Sequence, residues 1–490
     1  MRKTITILLF PLFCFGQTQI GSNINGEAAN DYSGRSVSLS SDGNIIAIGA
    51  DGNGANDAGH VRVFQNVSGV WTQIGADIDG EANVDLSGVC VSLSSNGSIV
   101  AIGANANDGN GNLSGHVRVY QNISGVWTQI GADIDGKASY DQSGESIALS
   151  SDGSIVAIGA RYNAGNGTNS GHVRVYKNVS GVWTKIGADI NGEAANDYSG
   201  YGIALSSDGS IVAIGATQND GNGTNSGHVR VYKNVSGVWT KIGADINGEA
   251  ANDQSGRSVS LSSDGSIVAI GARLNDGNGT DSGHVRVYKN VSGVWTQVGS
   301  DINGEAANDY SGHSVSLSSD GNIVAIGAYL NDGNGGDSGH VRVYKNVSGV
   351  WTQVGSDING EAVEDYCGYS ISLSSDGSIL AVGSIFNDGN GTNSGHVRVF
   401  NLGGTLASDS FAQSKSNLLL SPNPVKDILN LSSDKKITSV EIYNLVGQQI
   451  FVKEINAKEG KIDTSNLAVG TYLVKVTSGN EVKTLKVIKK

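Results

Sequence analysis

The middle of the chain repeats one pattern of hydrophobic and polar positions, in which four short apolar runs are separated by polar loops. In one copy, Ser258–Ser262 alternates, Ile267–Ala272 is almost continuously apolar, His284–Tyr288 alternates again and Val294–Ile302 forms the fourth run. Alternation with a period of two residues predicts β-strands, and a strand that is apolar throughout is typical of one covered on both faces. The pair Asp264-Gly265 between the first two runs predicts a hairpin with a type I′ turn.

This pattern recurs at a constant interval, as one series of histidines shows. The series consists of His60, His116, His172, His228, His284, His340 and His396. Six tryptophans keep the same spacing, at Trp71, Trp127, Trp183, Trp239, Trp295 and Trp351. A repeat unit that spans the interval between two of these histidines and contains four short strands is typical of a propeller blade. We therefore expect an all-β fold, with a seven-bladed β-propeller over residues 17–402.

The two ends of the repeat region complete each other. The seventh repeat stops after its third run, His396–Phe400, whereas the segment Thr18–Ile24 matches the fourth run Thr72–Ile78. We expect the N-terminal segment to supply the outer strand of the last blade. Such closure would leave no long free sheet edge.

The repeats also carry motifs of a known family. Gly200–Leu205 reads GYGIAL, Ile214–Ala216 reads IGA and Gly227–Tyr232 reads GHVRVY. These motifs resemble the FG-GAP repeat, the blade of integrin α-subunit propellers and of many bacterial surface proteins. The chain departs from that family where Ser199 replaces Phe, and where a short hairpin replaces the integrin-type calcium loop between the first two strands. The resemblance implies a propeller but no inherited calcium site.

A polar linker at residues 403–416 leads to a second domain at 417–490, whose alternating runs predict a small Ig-like β-sandwich. Its order of motifs resembles the C-terminal sorting domain of the type IX secretion system of Bacteroidetes. The resemblance rests on Pro422, Asn423, Pro424, Gly447, Gly470, Tyr472, Lys489 and Lys490. It implies that the type IX machinery is a partner, and that the protein is released or attached at the outer surface of a Gram-negative bacterium. The alternative is an ordinary accessory β-domain.

The first 16 residues predict a secretory signal peptide, because two basic residues precede the apolar run Ile5–Phe15. A lipoprotein anchored at Cys14 is the alternative, but Leu12-Phe13 before it lacks the small residues that lipoprotein processing needs. No other run has the length of a transmembrane span. The remaining cysteines, Cys90 and Cys367, stand where other repeats carry Ser, so we expect free thiols.

The charge is unevenly distributed along the chain. Residues 18–416 hold 19 Lys and Arg against 39 Asp and Glu, a net charge of −20, whereas residues 417–490 carry +4. A body this acidic repels polyanions, which disfavours nucleic acid and anionic lipid as partners. We expect a monomer.

The loop between the second and third runs is the candidate cation site, and calcium is the candidate cofactor. It presents oxygen-bearing side chains at alternating positions, as calcium loops do. The candidate ligands are Asp108, Asp220, Asn222, Asp276, Asn278, Asp332, Asn334, Asp388 and Asn390. We favour a role in turns only over calcium binding, because the third repeat has Ala164 there and no acid at a fixed offset completes the shell.

Two further series predict structural roles. An aspartate precedes the first run of every repeat, and we expect it to bond its own loop backbone. These are Asp31, Asp85, Asp141, Asp197, Asp253, Asp309 and Asp365. The seven histidines lie a whole repeat apart and cannot share one metal, so they predict structural positions at the start of the third strand.

An active site in a chain of near-identical repeats would need residues that differ between repeats. Lys137, Glu145, His313 and Glu364 are such residues, but they fall in different repeats and predict no nucleophile–base pair. We therefore expect no enzyme, but a secreted or cell-surface binding or adhesion protein whose equivalent weak sites gain avidity. Its partner would be an extracellular glycan or protein. The alternatives are a structural surface or matrix protein without a discrete ligand, and a propeller hydrolase acting on polysaccharide.

Overall fold

The structure is a computed structural model, and it describes residues 17–54, 57–403, 419–421, 424–444, 449–468, 470–478 and 481–490. The chain divides into two units, residues 1–406 and 407–490. Across these described ranges every regular element is a β-strand, and no helix has the length and apolar character needed to cross a bilayer. The predicted signal peptide and nearly all of the predicted linker lie outside the described residues.

In its described residues the first unit contains seven antiparallel sheets, numbered here 1 to 7 by repeat. In sheets 1 to 6 the first four strands pair in chain order, and in sheet 7 the N-terminal segment takes the place of the fourth strand. The inner strands are Ser36–Leu39, Cys90–Leu93, Ser146–Leu149, Ser199–Leu205, Ser258–Leu261, Ser314–Leu317 and Cys367–Leu373. The second strands are Ile45–Ala50, Ile99–Ala104, Ile155–Ala160, Ile211–Ala216, Ile267–Ala272, Ile323–Ala328 and Ile379–Ser384. The third strands are His60–Val67, His116–Ile123, His172–Val179, His228–Val235, His284–Val291, His340–Val347 and His396–Asn401.

The fourth run of each repeat was expected to be one strand, and this prediction is wrong. It forms two short strands that both pair with the third strand, because a glycine such as Gly299 breaks the run with a φ of +74°. The fourth strands are Val70–Gln73, Val126–Gln129, Val182–Lys185, Val238–Lys241, Val294–Gln297, Val350–Gln353 and, for sheet 7, Thr18–Gln19. The fifth strands are Ile78–Asp79, Ile134–Asp135, Ile190–Asn191, Ile246–Asn247, Ile302–Asn303, Ile358–Asn359 and, for sheet 7, Ile24–Asn25.

Sheet 7 is completed by the N-terminal segment, as the sequence predicted. Thr18 pairs with Asn401, and Ile24 pairs with Val397. The seven sheets also close into a ring through one hydrogen bond per sheet, in which a backbone N–H donates to the carbonyl of the next sheet over 2.7–2.9 Å. This cycle runs through Ser41, Ser95, Ser151, Ser207, Ser263, Ser319 and Ser375, and from there back to Ser41.

The core lies between neighbouring sheets, because the second strand is apolar on both faces. Ile214 is fully buried, and so are Val212 before it and Ala216 after it. One cluster joins Val37 and Ile48 of sheet 1 to Val397 of sheet 7, so the ring closure is packed as well as hydrogen-bonded. Burying an isoleucine of this kind contributes about 1.5–3 kcal/mol, and the repeat provides one such position in every sheet.

The hairpin turns differ from the prediction. A type I′ turn needs positive φ at both central residues, but in the Asp264-Gly265 pair only Gly265 has a positive φ. Gly265 instead donates its N–H to the Ser262 carbonyl over 2.9 Å, which makes it the last residue of a four-residue turn that begins at Ser262. The type I′ geometry occurs at the hairpin between the third and fourth strands, where Ser292 and Gly293 both have positive φ.

The second unit contains one five-stranded antiparallel sheet in the described residues. Its strands are Leu419–Ser421, Ile428–Tyr443, Gln449–Asp463, Gly470–Ser478 and Glu481–Lys489. The long strand Ile428–Tyr443 pairs with Leu419–Ser421 and Gly470–Ser478 along one edge and with Gln449–Asp463 along the other. Leu431, Val440 and Val474 meet in a single buried cluster. The two-sheet, Ig-like arrangement stays a prediction.

Candidate functional site

The inner strands of neighbouring sheets contact one another around the axis of the ring. At one end of that axis, two positions of each repeat meet: the residue that follows a recurring Ser-Gly or Cys-Gly pair at the start of the inner strand, and the residue after the second strand. We call these 14 positions the axial mouth. The first set is Arg35, Val89, Glu145, Tyr201, Arg257, His313 and Tyr369. The second set is Asp51, Asn105, Arg161, Thr217, Arg273, Tyr329 and Ile385.

Contacts run through the axial mouth from sheet 1 to sheet 3 by way of sheets 7, 6, 5 and 4. Arg35 lies 3.1 Å from Asp51 and donates a hydrogen bond to the Tyr369 hydroxyl. The Tyr369 ring lies 4.8 Å from the His313 ring, centroid to centroid.

From His313 the same line of contacts continues toward sheet 3. The Nε2 of His313 lies 3.5 Å from the Arg257 guanidinium. The Tyr201 ring lies between two guanidinium groups, 4.3 Å from Arg257 and 4.4 Å from Arg161. Arg161 is paired with Glu145 over 2.8 Å. One mouth therefore combines residues from six of the seven repeats, and it does so asymmetrically.

Positive charge is concentrated at the axial mouth. Seven of the eleven arginines of residues 17–402 belong to the recurring His-Val-Arg-Val motif, and the other four are Arg35, Arg161, Arg257 and Arg273. Against these four stand two acids, Asp51 and Glu145, so the mouth carries a net charge of +2 within a strongly acidic unit. Arg257 has no carboxylate partner at ion-pair distance among the described residues, and the rings of Tyr201 and His313 lie against its guanidinium.

Burial shifts the titration of these groups. Burial lowers the pKa of Arg257 to about 10, so this arginine remains charged at neutral pH. Burial, followed by the charges of Arg257, Arg273 and Arg35, holds the pKa of His313 well below its usual value, so the imidazole is neutral. Because Arg257 faces Nε2, the remaining proton belongs on Nδ1. That buried atom has no hydrogen-bond partner in the part of the chain that the structure describes.

Aromatic rings form one wall of the axial mouth. Tyr329 lies 4.3 Å from the His313 ring and 5.5 Å from Tyr369. Tyr366, just outside the mouth, lies 5.3 Å from Tyr329 and 4.7 Å from Phe386. A surface that combines guanidinium groups with aromatic rings can bind an anionic group and stack on a planar or cyclic one.

The structure corrects the interpretation of the residues that differ between repeats. Glu145 and His313 fall in different repeats, but the ring brings both to the axial mouth. There the positive charges of Arg35 and Arg257 act to lower the pKa of each of them. Lys137 lies in the loop before sheet 3 and binds Asp189 over 2.8 Å. Glu364 is exposed in the loop before sheet 7, where its φ is +61°. An alignment of the repeats could have found the mouth, because four extra arginines and the eighth histidine all occupy the same two positions.

The nine candidate calcium ligands do not converge on the axial mouth. The aspartates accept backbone hydrogen bonds within their own loops, as when Asp276 Oδ1 accepts the N–H of Asp281 at 2.9 Å; Asp108, Asp220, Asp332 and Asp388 do the same. The asparagines join neighbouring loops, as when Asn278 Nδ2 donates to the carbonyls of Gly304 and Glu305; Asn222, Asn334 and Asn390 do the same. Calcium binding by these loops stays a prediction.

The aspartate series before the inner strands behaves as predicted. Asp31 Oδ2 accepts the N–H groups of Glu27 and Ala28 at 2.8 and 2.7 Å. Every equivalent aspartate accepts the N–H of the alanine, and all except Asp85 and Asp309 accept both N–H groups. The tryptophans join neighbouring sheets, since Trp127 Nε1 donates to the Ile74 carbonyl over 2.7 Å. Cys90 and Cys367 are free thiols, as expected.

The sorting-domain residues divide between described and undescribed parts of the chain. Pro422, Asn423 and Gly447 lie outside the described residues, and Pro424 is exposed. Tyr472 is 8% exposed, and its hydroxyl donates to the Ala468 carbonyl over 2.8 Å. Lys489 is 7% exposed on the last strand, and the N–H of Lys490 donates to the Val425 carbonyl.

Comparisons with known families agree with both sequence motifs. Residues 244–288 and 303–344 match the FG-GAP repeat, and residues 420–490 match the secretion system C-terminal sorting domain. The chain thus carries FG-GAP repeats and a type IX sorting domain, as the sequence indicated. The sorting domain implies interaction with the type IX secretion machinery, export, and a cell-surface or extracellular location in Bacteroidetes.

Whole-chain comparisons add little to this. No curated protein is similar to the chain in sequence. One similar solved structure is a protein assigned as a 6-phosphogluconolactonase from Bacteroides uniformis, at 13% identity and a TM-score of 0.47, over 67% of this chain and 85% of that chain. A similarity of this size carries no argument about fold or activity.

Proposed function

We propose that the chain is a secreted or cell-surface binding protein, and that its axial mouth binds an extracellular glycan carrying carboxylate or sulfate groups. In this proposal the seven sheets are the blades of a seven-bladed β-propeller, the C-terminal unit is a small Ig-like β-sandwich, and the protein acts as a monomer. The observation that supports it best is the convergence of four arginines on the mouth of an otherwise acidic protein.

The charge argues for an anionic ligand. Burying the Arg257 guanidinium without a carboxylate partner costs stability, and natural proteins retain such groups where a ligand provides the counter-charge. Arg257 Nε and His313 Nδ1 are buried donors that have no hydrogen-bond partner in the described part of the chain. Carboxylate and sulfate oxygens are acceptors that a guanidinium binds with two parallel hydrogen bonds.

The aromatic wall argues for a sugar. The rings of Tyr329, Tyr366, Tyr369 and Phe386 provide apolar faces next to the arginines. A saccharide ring presents an apolar face for stacking, and its acidic substituent at the ring edge would reach Arg257 or Arg35. The acidic surface around the mouth would repel polyanions that do not fit it.

Calorimetric titration of the full chain tests this function. The probes are an oligogalacturonate, a sulfated oligosaccharide and a neutral oligosaccharide of the same length. We expect one site per chain for an acidic probe, affinity that weakens as salt rises, and no heat from the neutral probe. Arg257→Gln should weaken binding at least tenfold, while Lys289→Gln, which removes the same charge from an exposed position, should leave it unchanged.

A polysaccharide hydrolase is the second candidate, and the two acids at the mouth favour it. Burial raises the pKa of both Asp51 and Glu145, as an acid catalyst would require. However, Glu145 is paired with Arg161 and Asp51 with Arg35, so each acid already has a structural partner. Release of reducing ends from the bound glycan, abolished by Glu145→Gln, would replace the binding function by this one. Absence of binding to every probe would favour a structural matrix protein.

A further inference from the structure

Five repeats hold a Glu–His–Asp group at the outer side of the ring, away from the axial mouth. In each group a glutamate of the loop before the inner strand meets the histidine of the third strand and the aspartate before the fifth strand. The groups are Glu27–His60–Asp77, Glu81–His116–Asp133, Glu193–His228–Asp245, Glu249–His284–Asp301 and Glu305–His340–Asp357. The histidines were expected to have a structural role, and this convergence was missed, although the aspartate follows the histidine at the same interval every time.

The histidine of each group points its Nδ1 atom at two carboxylates without forming a hydrogen bond. His284 Nδ1 lies 3.7 Å from the Glu249 carboxylate and 4.0 Å from that of Asp301. These distances are too long for hydrogen bonds. His284 is only 1% exposed, and neither of its ring nitrogens has a hydrogen-bond partner in the described chain. A buried imidazole without a partner is rare and calls for an explanation.

The other oxygens of the same carboxylates are already engaged. Gln297 Nε2 donates to Asp301 Oδ1 over 2.6 Å, and the Arg286 guanidinium lies 3.5 Å from Glu249 Oε1. These contacts aim the remaining oxygen of each acid at His284. Each group therefore brings three acceptor atoms together, one histidine nitrogen and two carboxylate oxygens. These three atoms lie within 4.8 Å of one another.

Two repeats lack one acid of the group, and in both a donor nitrogen takes its place. In sheet 3 the glutamate is replaced by Lys137, whose ammonium donates to Asp189 over 2.8 Å. In sheet 7 the aspartate is replaced by Asn23, whose amide donates to Glu361 over 2.8 Å and lies 3.4 Å from His396 Nδ1. Where the three acceptors are incomplete, the chain itself supplies a donor, which indicates that the five complete groups need a cation.

We propose that the five Glu–His–Asp groups bind zinc ions. One imidazole nitrogen and two carboxylate oxygens are ligands that zinc takes, whereas calcium prefers oxygen alone. Zinc bonds of about 2.0–2.2 Å place tetrahedral ligands about 3.4 Å apart. The histidine–carboxylate distances of 3.7–4.0 Å therefore require a contraction of up to about half an ångström. The widest separation within a group, at most 4.8 Å, requires a contraction of up to about 1.4 Å. The half-exposed glutamate leaves a fourth position open to water.

The five sites are not equal. In sheet 4 the residue that binds the outer oxygen of the aspartate is Lys241, whose ammonium lies 2.8 Å from Asp245. A positive charge this close repels the metal, so this site binds zinc most weakly. Each bound ion would join the loop before the inner strand to the third strand, and would stabilise the outer side of the ring.

Equilibrium dialysis of the chelator-treated full chain against Zn²⁺, with elemental analysis, tests the proposal. We expect five equivalents of zinc at saturation. Glu249→Gln should lower this number to four. Asn23→Asp, which restores the missing acid of sheet 7, should raise it to six, and Asp276→Asn in the candidate calcium loop should leave it at five.

Substitution with Co²⁺ checks the ligands independently of the count. Tetrahedral coordination gives Co²⁺ strong visible absorption, whose intensity should rise with Asn23→Asp and fall with Glu249→Gln. Absence of zinc binding would overturn the proposal. A stoichiometry that is the same in Glu249→Gln, Asn23→Asp and the parent chain would overturn it too, because the zinc would then lie on other surface carboxylates. Neither readout depends on the glycan-binding function.

Discussion

Replacing Arg257 with methionine separates what this residue does for a ligand from what it does for the fold. The two side chains have similar length, so Arg257→Met removes the charge and keeps most of the packing against Tyr201. We expect the variant to be more stable than the parent chain in the absence of ligand. This outcome is unusual for a half-buried residue, because most substitutions destabilise a protein.

The magnitude follows from the pKa of Arg257. Burial lowers it to about 10, whereas an unfolded arginine keeps its ordinary, higher pKa. Because the folded value is the lower one, the charge destabilises the fold by its full amount at every pH below about 10. At 1.36 kcal/mol per pKa unit this amounts to about 3 kcal/mol. Water at the mouth and the contact with the Tyr201 ring reduce the gain on removing the charge to about 1–3 kcal/mol.

Thermal unfolding in a buffer of low anion content measures this gain. An unfolding entropy of about 2.1 cal/mol/K per residue over the roughly 385 residues of the ring converts 1–3 kcal/mol into about 1–4 °C. Lys289→Met, the control, should leave the melting temperature within about 1 °C. An acidic oligosaccharide should stabilise the parent chain but not Arg257→Met. A lower melting temperature for Arg257→Met would refute the view that this charge is kept for a ligand.

Three further predictions concern the fold. Burial, followed by the charge of Arg174, lowers the pKa of His172 to about 3, so stability that is complete above pH 6.5 is lost as the pH falls toward 3. In urea unfolding, the parent chain should lose about 2 kcal/mol of stability relative to His172→Gln between pH 7 and pH 5. An equal loss in both chains would contradict the assignment. Gly283→Ala should destabilise the fold far more than Gly293→Ala. Both glycines have positive φ, but only at Gly283 would the new Cβ lie 2.1 Å from a carbonyl oxygen, that of Ser311. Equal melting temperatures of the two variants would show that the clash is relieved. Deletion of residues 17–25 should lower the melting temperature and cause self-association in size-exclusion chromatography. The reason is that the third strand of sheet 7 would become a free edge. A monomer with an unchanged melting temperature would show that the ring does not depend on this closure.

The repeats made the architecture predictable, because the constant spacing of the histidines and the match of Thr18–Ile24 to Thr72–Ile78 depend only on sequence. The turn types were less predictable. Asp-Gly and Ser-Gly pairs both suit tight turns, and only the number of residues between paired strands decides which pair takes positive φ at both positions. The break in the fourth strand at Gly299 was missed for a related reason, since a glycine in a short apolar run does not by itself announce a left-handed conformation.

The candidate sites could not be derived from single repeats. Glu145 and His313 belong to the third and sixth repeats, and only the closure of the ring places both beside Arg35 and Arg257. The Glu–His–Asp groups were missed because the glutamate lies in the loop before the inner strand, far along the chain from the histidine and the aspartate that it meets. Both signals become visible once the repeats are aligned and each position is assigned to the axis or to the outer side.

A crystal structure of the full chain grown with an acidic oligosaccharide tests the central claim most directly. The account predicts that the saccharide lies at the axial mouth, with a carboxylate or sulfate group within hydrogen-bond distance of Arg257 and a sugar ring against the wall that Tyr329 and Tyr369 form. A saccharide bound instead beside the tryptophans of the fourth strands, with the mouth free of ligand, would contradict it. That result would favour weak repeated binding around the ring.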